Sequence, residues 1–369
     1  MTGRFIGLIS GTSADGIDAV LMEFAPTPRI TATHFSPYPD SLRERVLQFS
    51  RGEYVGDPVD ELGGLDAELG ELFAAAALAL LAESAMRPSE VNAIGSHGQT
   101  VRHRPRARHP FTLQIADPNV IAARTGISVV ADFRRRDVAL GGQGAPLLPA
   151  FHQVAFANPS EERVVANIGG IANVTLLPPQ GDVRGFDTGP GNVLMDLWSR
   201  EHLGAAYDKD GDFAAGGKPD ESLLEDLLAD GYFAAAPPKS TGPEHFNRAW
   251  LDAALGGRKP APADMAATLA ELTARSIAEA ARRHSPALRK LYVCGGGAHN
   301  RHLMARLAAC LPGTAVASTE SLGIHPDWVE AAGFAWLAHQ SLEGKPGNLP
   351  SVTGAGKSTV LGAIYPAAK

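Results

Sequence analysis

The residues between Ser10 and Asp18 carry more polar chemistry than a turn requires. Two glycines, three hydroxyl groups and two carboxylates lie between apolar segments that are typical of strands. Glycine lets a phosphate approach the backbone, and successive N–H groups in a turn form a concave site for an anion. The hydroxyls add donors, and Asp15 and Asp18 offer the oxygen ligands that Mg²⁺ or its waters prefer. This first polar turn (residues 10–18) is therefore predicted to bind phosphate.

A second turn of the same kind occurs further along the chain. In "RVVANIGGIANVTLLPP" (163–179), two apolar runs flank a turn at Gly169 and Gly170. One glycine-rich hairpin is usually only a turn. Two of them, at the heads of successive domains, predict a nucleotide phosphate chain held between those domains. We interpret the repetition as a weak internal repeat.

Two later stretches place functional groups near strand ends. "FDTGPGNVLMD" (186–196) is typical of a strand, a turn and a helix, so Asp187 is expected at the exit of the strand, where Gly189 and Gly191 let a ligand come close. "VCGGGAHN" (293–300) predicts a strand, three glycines on whose bare backbone a flat group such as adenine can lie, and a helix start near Asn300. Each stretch alone also fits a simple turn, but their order indicates a nucleotide-binding protein.

Length and composition suit a soluble two-domain enzyme. The chain has 369 residues, of which 44% are hydrophobic and 20% charged. A formal net charge of −7 argues against a nucleic-acid surface. The two cysteines, Cys294 and Cys310, exclude a disulfide framework and a cysteine-based zinc site. The sequence shows no basic leader and no apolar run of about 20 residues, so we expect a cytoplasmic protein without a membrane partner.

Strand and helix patterns are mixed along the chain in the manner of an α/β protein. Besides the two hairpins, strands are predicted in "VNAIGSHGQT", "FTLQI", "GISVVADF" and "KLYVCGGG". Helices are predicted at 60–84, from Asp117–Pro118 onwards, and at roughly 191–203, 219–231, 264–284, 300–311 and 326–343. "GGQGAP" (141–146) is interpreted as a hinge between domains.

Two familiar motifs are imitated without being present. "TGAGKST" (353–359) resembles a P-loop, but that pattern requires glycine where Ser351 stands, so a surface loop is expected. "DKDGD" (208–212) resembles a calcium loop, but its glycine comes two places early and Pro219 occupies the place of the bidentate glutamate.

In their combination, several stretches resemble the anhydro-N-acetylmuramic acid kinase family of the actin, Hsp70 and sugar-kinase superfamily. They are "GLISGTSADGIDAV", "AIGSHGQTVRH", "VVADFRRRDVALGGQGAPLLPAFH", "NIGGIANVTLL", "GFDTGPGNVLMD", "PKSTGPEHFN" and "CGGGAHN". The resemblance covers nearly the whole chain. It departs at Ala14, where a larger apolar residue is usual, and at His299, where an aromatic residue is usual; neither change removes a chemical group that the reaction needs.

The resemblance implies an α/β chain with a two-domain actin-like ATPase (ribonuclease H-like) fold, with mixed sheets and an interdomain cleft. The expected domains are an N-terminal phosphate- and sugar-binding domain at 1–135 and a C-terminal ATP-binding domain at 136–345. Residues 346–369 are expected to pack back on the first domain. The resemblance also implies a homodimer.

The implied activity is an ATP-dependent kinase that hydrolytically opens the 1,6-anhydro ring of 1,6-anhydro-N-acetylmuramic acid and phosphorylates its 6-oxygen. ATP and Mg²⁺ are the implied cofactors. Asp187 matches the catalytic aspartate that activates the attacking water. The implied nucleotide-binding residues are Gly11, Thr12, Ser13, Ala14, Asp15, Gly16, Ile17, Asp18, Asn167, Gly169, Gly170, Gly189, Gly191, Gly295, Gly296, Gly297 and Asn300. Asp15 is the metal candidate, directly or through a water.

Sugar recognition is assigned by the same resemblance to Gln99, Thr100, Arg134, Asp187 and Glu330. The guanidinium of Arg134 suits the lactyl carboxylate of the muramic acid, because it recognises carboxylates with two parallel hydrogen bonds. The other residues in these stretches have simpler interpretations: Arg135 and Arg136 fit a solvated loop equally well, His97 is expected to be satisfied within its own loop, and Glu330 also fits an ordinary helix position.

Three alternative functions are left open by the residues. Another sugar kinase, of the ROK type, usually carries a cysteine-rich zinc motif that two distant cysteines do not supply. An actin- or Hsp70-type ATPase needs a polymerisation surface or a peptide-binding domain. A hydrolase of anhydro-sugars that works without ATP is disfavoured by the paired phosphate turns. Dependence of ATP turnover on an amino sugar distinguishes the kinase from these rivals.

Overall fold

The computed structural model describes residues 3–25 and 28–367. The strands in this part of the chain are β1 (Gly3–Ser10), β2 (Gly16–Phe24), β3 (Arg29–Pro37), β4 (Ala93–Arg104), β5 (Phe111–Ile115), β6 (Val129–Ala131), β7 (Arg163–Ile168), β8 (Ile171–Leu177), β9 (Arg184–Pro190), β10 (Lys290–Cys294), β11 (Ala315–Ser318) and β12 (Ala363–Tyr365).

The helices of the same described residues are α1 (Asp40–Arg51), α2 (Pro58–Glu83), α3 (Pro118–Thr125), α4 (Arg135–Ala139), α5 (Leu148–Phe156), α6 (Val193–Leu203), α7 (Asp212–Ala215), α8 (Glu221–Leu228), α9 (Gly231–Ala234), α10 (Arg248–Leu255), α11 (Pro262–His284), α12 (Arg301–Cys310), α13 (Val329–Leu342) and α14 (Pro350–Thr353). The helices predicted from periodicity are confirmed to within about one turn at each end. None of the helices in the described residues is both long and apolar enough to cross a membrane.

Contacts divide the chain into two compact units. The first runs to Phe151 and resumes at Trp328, and the second is His152–Asp327. The first boundary therefore lies after Phe151, where residue 135 was expected. The chain returns to the first unit at Trp328, before the expected position 345. The first unit receives the chain back earlier because α13 packs on β1 and β4, and β12 pairs antiparallel with β6.

The sheet of the first unit has the order β12-β6-β4-β1-β2-β3, with β5 paired to β4. β1 and β2 are antiparallel, as are β2 and β3, whereas β4 runs parallel to both β1 and β6. Its strands and α2 share one apolar core, in which α2 presents Leu65, Leu69 and Phe73 at helical spacing. α2 begins at Pro58 because the Asp57 carboxylate caps its first free N–H groups.

The sheet of the second unit repeats this order as β11-β10-β7-β8-β9. β7 and β8 are antiparallel, β8 and β9 are antiparallel, and β10 runs parallel to β7 and β11. The internal repeat predicted from the two glycine-rich hairpins is therefore confirmed at the level of strand order.

Helix α13 lies directly on its sheet because two strand residues have no side chain. A Cβ added at Gly7 would lie 1.8 Å from the carbonyl oxygen of Ala331, and one added at Gly95 would lie 2.0 Å from that of Phe334. Both distances are far below van der Waals contact. These glycines are therefore explained by packing between β1, β4 and α13, without reference to a ligand.

The "TGAGKST" stretch is not a surface loop throughout, which corrects the sequence expectation. Thr353 is the last residue of α14 and is buried, as is Ala355. The backbone N–H of Gln143 donates to the carbonyl of Thr353, and that of Gly356 donates to the carbonyl of Leu140. The residues that imitate a P-loop thus fasten the C-terminal part of the chain to the segment after α4.

Candidate functional site

The first polar turn joins β1 to β2 and keeps its polar groups at the surface. Thr12, Ser13 and Asp15 are exposed, and the hydroxyl of Ser13 donates to Oδ1 of Asp15 at 2.8 Å. Ala14 is buried, and its φ of 48° is unusual for a residue with a side chain. Its N–H closes the turn on the carbonyl of Gly11 at 3.2 Å.

Neither packing nor backbone conformation requires a glycine at Gly11. A Cβ at this position would meet only Oγ of Ser13, at 3.8 Å, and its φ is not in the left-handed region. By contrast, a Cβ at Gly16 would lie 2.5 Å from the carbonyl oxygen of Ser36. Gly16 is therefore required for strand pairing, while the bare backbone at Gly11 is available for the close approach of a ligand.

The side chain of Gln99, predicted to touch substrate, is used inside the protein. Its Oε1 accepts from the hydroxyl of Ser10 at 2.7 Å, and its Nε2 donates to the carbonyls of Gly11 at 3.1 Å and Thr100 at 3.4 Å. Gln99 thus ties β4 to the start of the first polar turn. The hydroxyl of Thr100 accepts from Nε2 of Gln114 at 3.1 Å.

The second polar turn (residues 167–170) is held against the N-terminus of α6. The N–H of Asn192 donates to the carbonyl of Gly169 at 2.8 Å, and those of Gly191 and Val193 donate to the carbonyl of Gly170. A Cβ at Gly191 would lie 2.3 Å from the carbonyl oxygen of Gly169, so Gly191 is required by this close packing. Gly169 itself faces open space, like Gly11 in the first unit.

The three-glycine loop after β10 adjoins this second polar turn. A Cβ at Gly295 would lie 2.4 Å from Oδ1 of Asn167, and one at Gly297 would lie 2.4 Å from Cγ2 of Ile168. Gly296 between them would meet only Nδ2 of Asn192, at 3.7 Å. The predicted nucleotide stretches of the second unit are thus neighbours, with bare backbone at Gly169 and Gly296.

Asn300, predicted to bind nucleotide, has a structural role in the described geometry. Its Oδ1 accepts the N–H of Leu303 at 2.9 Å and so caps α12, which begins at Arg301. His299, which stands where an aromatic residue is usual, bonds through Nε2 to Oδ1 of Asp327 at 2.7 Å.

Asp187 is the central residue of β9. The strand continues to Pro190 instead of ending at Asp187 as expected. Oδ2 of Asp187 accepts the backbone N–H of Thr241 at 3.0 Å. Its own N–H donates to the carbonyl of Lys239, and its carbonyl accepts the phenolic hydroxyl of Tyr232 at 2.8 Å. Both its backbone and its carboxylate are therefore fixed by the segment 232–241.

Sequence reasoning missed the roles of Tyr232, Lys239 and Thr241, although "PKSTGPEHFN" (238–247) was among the stretches that carry the resemblance. Lys239 is buried, and its Nζ donates to the carbonyl of Tyr232 at 2.9 Å and lies 4.5 Å from the centre of that ring. Burial and nearby Arg283 lower the pKa of Lys239, while Asp187 opposes the shift. Lys239 thus links the two ends of the segment that orients Asp187, by a hydrogen bond to the carbonyl of Tyr232.

Arg134 is held by two partners in the first unit. Its Nε donates to Nε2 of His97 at 2.9 Å, and its Nη1 donates to the carbonyl of Gly144 at 2.8 Å. Nδ1 of His97 donates to the carbonyl of Gly98 at 2.9 Å. Burial, and then the charge of Arg134, hold the pKa of His97 well below its usual value. The expectation that His97 is satisfied within its own loop holds for Nδ1, which bonds to Gly98, whereas Nε2 is bonded by Arg134 from another segment.

The two arginines after Arg134 contribute to structure. Nε of Arg135 pairs with Oδ1 of Asp132 at 3.1 Å, and Nη1 of Arg136 donates to the carbonyl of Val360 at 2.8 Å. Glu330 is the second residue of α13 and is half-buried.

A polar cavity of about 310 Å³ opens in the first unit beside the middle of β4 and the ends of β5 and β6. Its lining includes Ser96, Gln114, Asp117, Asp132 and Arg135. The predicted sugar residues Gln99, Thr100 and Arg134 are not in that lining.

No group of three or more metal-ligating side chains occurs within residues 3–25 and 28–367.

Two sheets of the same strand order, each with a polar hairpin that contains a glycine not required by packing, define a mixed α/β protein with an internal structural repeat. A family model described as "Anhydro-N-acetylmuramic acid kinase" matches residues 3–367. The chain belongs to this family.

Relatives named anhydro-N-acetylmuramic acid kinase match at high identity over the full length. The protein of Coxiella burnetii (strain RSA 493 / Nine Mile phase I) is 54% identical over 98% of this chain and 97% of its own. That of Xanthomonas campestris pv. campestris (strain 8004) is 52% identical over 98% and 97%, respectively. Among solved structures, a ROK family glucokinase from Streptomyces griseus in complex with glucose and AMPPNP aligns at 14% identity and a TM-score of 0.41, covering 92% of this chain and 100% of its own.

Proposed function

We propose that this protein phosphorylates 1,6-anhydro-N-acetylmuramic acid at its 6-oxygen while water opens the 1,6-anhydro bridge, giving N-acetylmuramic acid 6-phosphate. ATP donates the phosphoryl group. The observation that carries the proposal is the Asp187 carboxylate, fixed by the Thr241 N–H in a chain that belongs to this kinase family.

The reaction is balanced with one water and one ATP. The water oxygen bonds to the anomeric carbon, and its proton passes to the Asp187 carboxylate, which acts as general base. The bond between the anomeric carbon and the 6-oxygen breaks, and the 6-oxygen bonds to the γ-phosphorus as ADP leaves. Nucleophilic attack by water at an anomeric carbon beside a carboxylate base is the chemistry of inverting glycoside hydrolysis.

Phosphoryl transfer depends mainly on positioning and on neutralising charge. Bare backbone at Gly11, Gly169 and Gly296 supports a role in holding the nucleotide, because no packing in the described residues requires glycine there. Mg²⁺ would neutralise phosphate charge when bound, with Asp15 as the candidate contact, directly or through a water. In the first unit Asp18 is also assigned to nucleotide binding, and in the second unit Asn167, Gly189 and Gly191 are.

For the sugar, we assign the lactyl carboxylate to Arg134, since a guanidinium whose Nε and Nη1 are held by His97 and Gly144 has a defined orientation. Gln99 acts on the sugar site indirectly, by holding the first polar turn. Thr100 and Glu330 are the other residues that we assign to sugar binding. A homodimer in the cytoplasm is also part of this proposal.

Mass spectrometry of the product tests the reaction directly. The enzyme is mixed with Mg-ATP and 1,6-anhydro-N-acetylmuramic acid in ¹⁸O-labelled water. The proposal predicts a 6-phosphorylated muramic acid with the label at its anomeric position. Asp187→Asn is expected to lower kcat by about 10²- to 10⁴-fold, the usual contribution of a general base. ATP consumption without labelled phosphosugar would exclude this substrate.

A further inference from the structure

Asp137 is a buried carboxylate that the proposed mechanism does not use. Its side chain has no exposed surface, and three neutral donors contact it. Oδ2 accepts the N–H of Gly144 at 2.8 Å, while Oδ1 accepts from Nδ2 of Asn348 and from the hydroxyl of Thr353, both at 2.7 Å. Burying a carboxylate without a cation costs free energy, which the hydrogen bonds from these three donors must offset.

The backbone of Gly144 connects this carboxylate to Arg134. Its N–H donates to Asp137, and its carbonyl accepts Nη1 of Arg134 at 2.8 Å. Gly144 has a φ of 67°, and a Cβ there would lie 2.8 Å from Cγ2 of Val138. The N–H belongs to the 143–144 peptide unit and the carbonyl to the 144–145 unit, so the backbone of Gly144 is held on both sides of its Cα. Its carbonyl is in turn an anchor of the Arg134 guanidinium.

The far side of the same network is the C-terminal segment 348–359. Oδ1 of Asn348 accepts the N–H of Thr359 at 2.8 Å, and its Nδ2 also contacts the carbonyl of Lys357. The side chains that reach Asp137 from this segment are themselves nearly fully buried. They lie more than 200 positions along the chain from Asp137 (211 for Asn348 and 216 for Thr353).

We propose that Asp137, held by Asn348 and Thr353, is a positioning residue that sets substrate specificity by fixing the backbone of Gly144, whose carbonyl orients Arg134. This inference rests on the proposed function, in which Arg134 binds the lactyl carboxylate. The C-terminal segment thus contributes to recognition of the acidic substituent without touching the sugar.

Thr353→Val tests the proposal, because it keeps the shape of the side chain and removes one of the donors to Asp137. The KM for 1,6-anhydro-N-acetylmuramic acid is expected to rise about 5- to 20-fold, the loss that follows when one hydrogen bond is removed from a charged group. At saturation kcat is expected to change less than about twofold, as is the KM for ATP. Thr353→Ser, which retains the hydroxyl, should restore the KM.

The specific readout is a competitor that lacks the lactyl group. The inhibition constant of 1,6-anhydro-N-acetylglucosamine should be unchanged in Thr353→Val, since this ligand has no carboxylate for Arg134. Equal weakening of both sugars, or an unchanged KM for the muramic acid substrate, would overturn the proposal.

Two controls separate positioning from stability. Thr125→Val also removes a buried threonine hydroxyl in the first unit, one that donates to the carbonyl of Ile121 at 2.7 Å, and should leave the KM unchanged. If Thr353→Val does not fold, Thr353→Ala gives the same test with room for water beside Asp137. Wild-type formation of the labelled phosphosugar is scored separately, so failure of the proposed function is distinguished from failure of this inference.

Discussion

The backbone N–H of Thr241 donates to Oδ2 of Asp187 at 3.0 Å, although the two residues are 54 positions apart in the chain. Thr241 therefore fixes the orientation of the Asp187 carboxylate. Because the donor is a backbone group, its position depends on the conformation of the whole segment 232–241. Tyr232 and Lys239 hold that segment at two further points.

Tyr232→Phe is expected to lower kcat about 3- to 10-fold, because it removes the hydroxyl that donates to the carbonyl of Asp187. The KM values for sugar and ATP should change little. Steady-state kinetics measures both, and Tyr54→Phe, in the first unit, is the matched control. A kcat equal to that of the wild type would show that the hydroxyl does not hold Asp187 in its working position.

Gly296→Ala and Gly297→Ala form a matched pair with opposite expected effects. At Gly296 a methyl group would make only an ordinary van der Waals contact, 3.7 Å from Nδ2 of Asn192, so stability should change by less than about 0.5 kcal/mol while the KM for ATP rises about tenfold. At Gly297 the methyl group would lie 2.4 Å from Cγ2 of Ile168, so unfolding should be easier by about 1–3 kcal/mol. Thermal melts and ATP titrations measure the two effects. Similar ATP affinity for Gly296→Ala and the wild type would contradict the assigned nucleotide surface.

Arg134→Lys should raise the KM for the muramic acid substrate about 10- to 100-fold. Lysine keeps the charge but lacks the planar guanidinium that donates to His97 and Gly144 and that we propose binds the lactyl carboxylate. The KM for ATP serves as the internal control and should stay within about twofold of the wild-type value. If the KM for both substrates rose together, Arg134 would be acting on the fold and not on the sugar.

Acid should destabilise the protein through its buried histidines. Burial lowers the pKa of His152 to about 3, and it lowers the pKa of His103 to about 4, with Arg134 and Arg104 adding to that shift. Since each folded-state value lies below the unfolded value of about 6.5, the unfolded chain binds more protons between these pH values. Stability is therefore fully present above about pH 6.5 and is lost as the pH falls towards the folded-state values.

His152→Phe isolates this effect in the second unit. In the wild type, His152 contributes a slope of about 1.4 kcal/mol per pH unit below pH 6.5, and the variant should lose this contribution. Denaturant unfolding between pH 6.5 and 5 measures the difference in slope. Parallel curves for the two proteins would show that His152 takes up a proton in the folded state. Its hydrogen bond to Thr175, at 2.8 Å through Nδ1, makes a modest loss of stability at neutral pH the expected side effect.

Local signals account for what the sequence predicted well. The two hairpins were visible because apolar alternation stops at polar, glycine-rich residues and then resumes. Asp117 was recognised as a helix start because it precedes Pro118, and the structure confirms that its side chain caps α3. The strand, glycine loop and helix at 290–310 were likewise predicted from neighbours in sequence.

The missed features depend on contacts between distant residues or on weak patterns. β3 is an edge strand in which exposed and half-buried residues alternate, so it has little apolar signal. The cap that the side chain of Asn300 forms on α12 is a structural role beside its predicted nucleotide contact, which stays a prediction. The support of Asp187 by Tyr232 and Thr241 could not be found without knowing which loop returns to β9.

The discontinuity of the first unit has a consequence for the order of synthesis. Gly7 and Gly95 are shaped to receive α13, but that helix leaves the ribosome only after all of His152–Asp327. The second unit is continuous in sequence and is able to complete its core first, whereas β1 and β4 must wait with one apolar face uncovered. The first part of the protein to be made is thus expected to be the last to finish folding, with an apolar face of its sheet exposed until α13 has been synthesised.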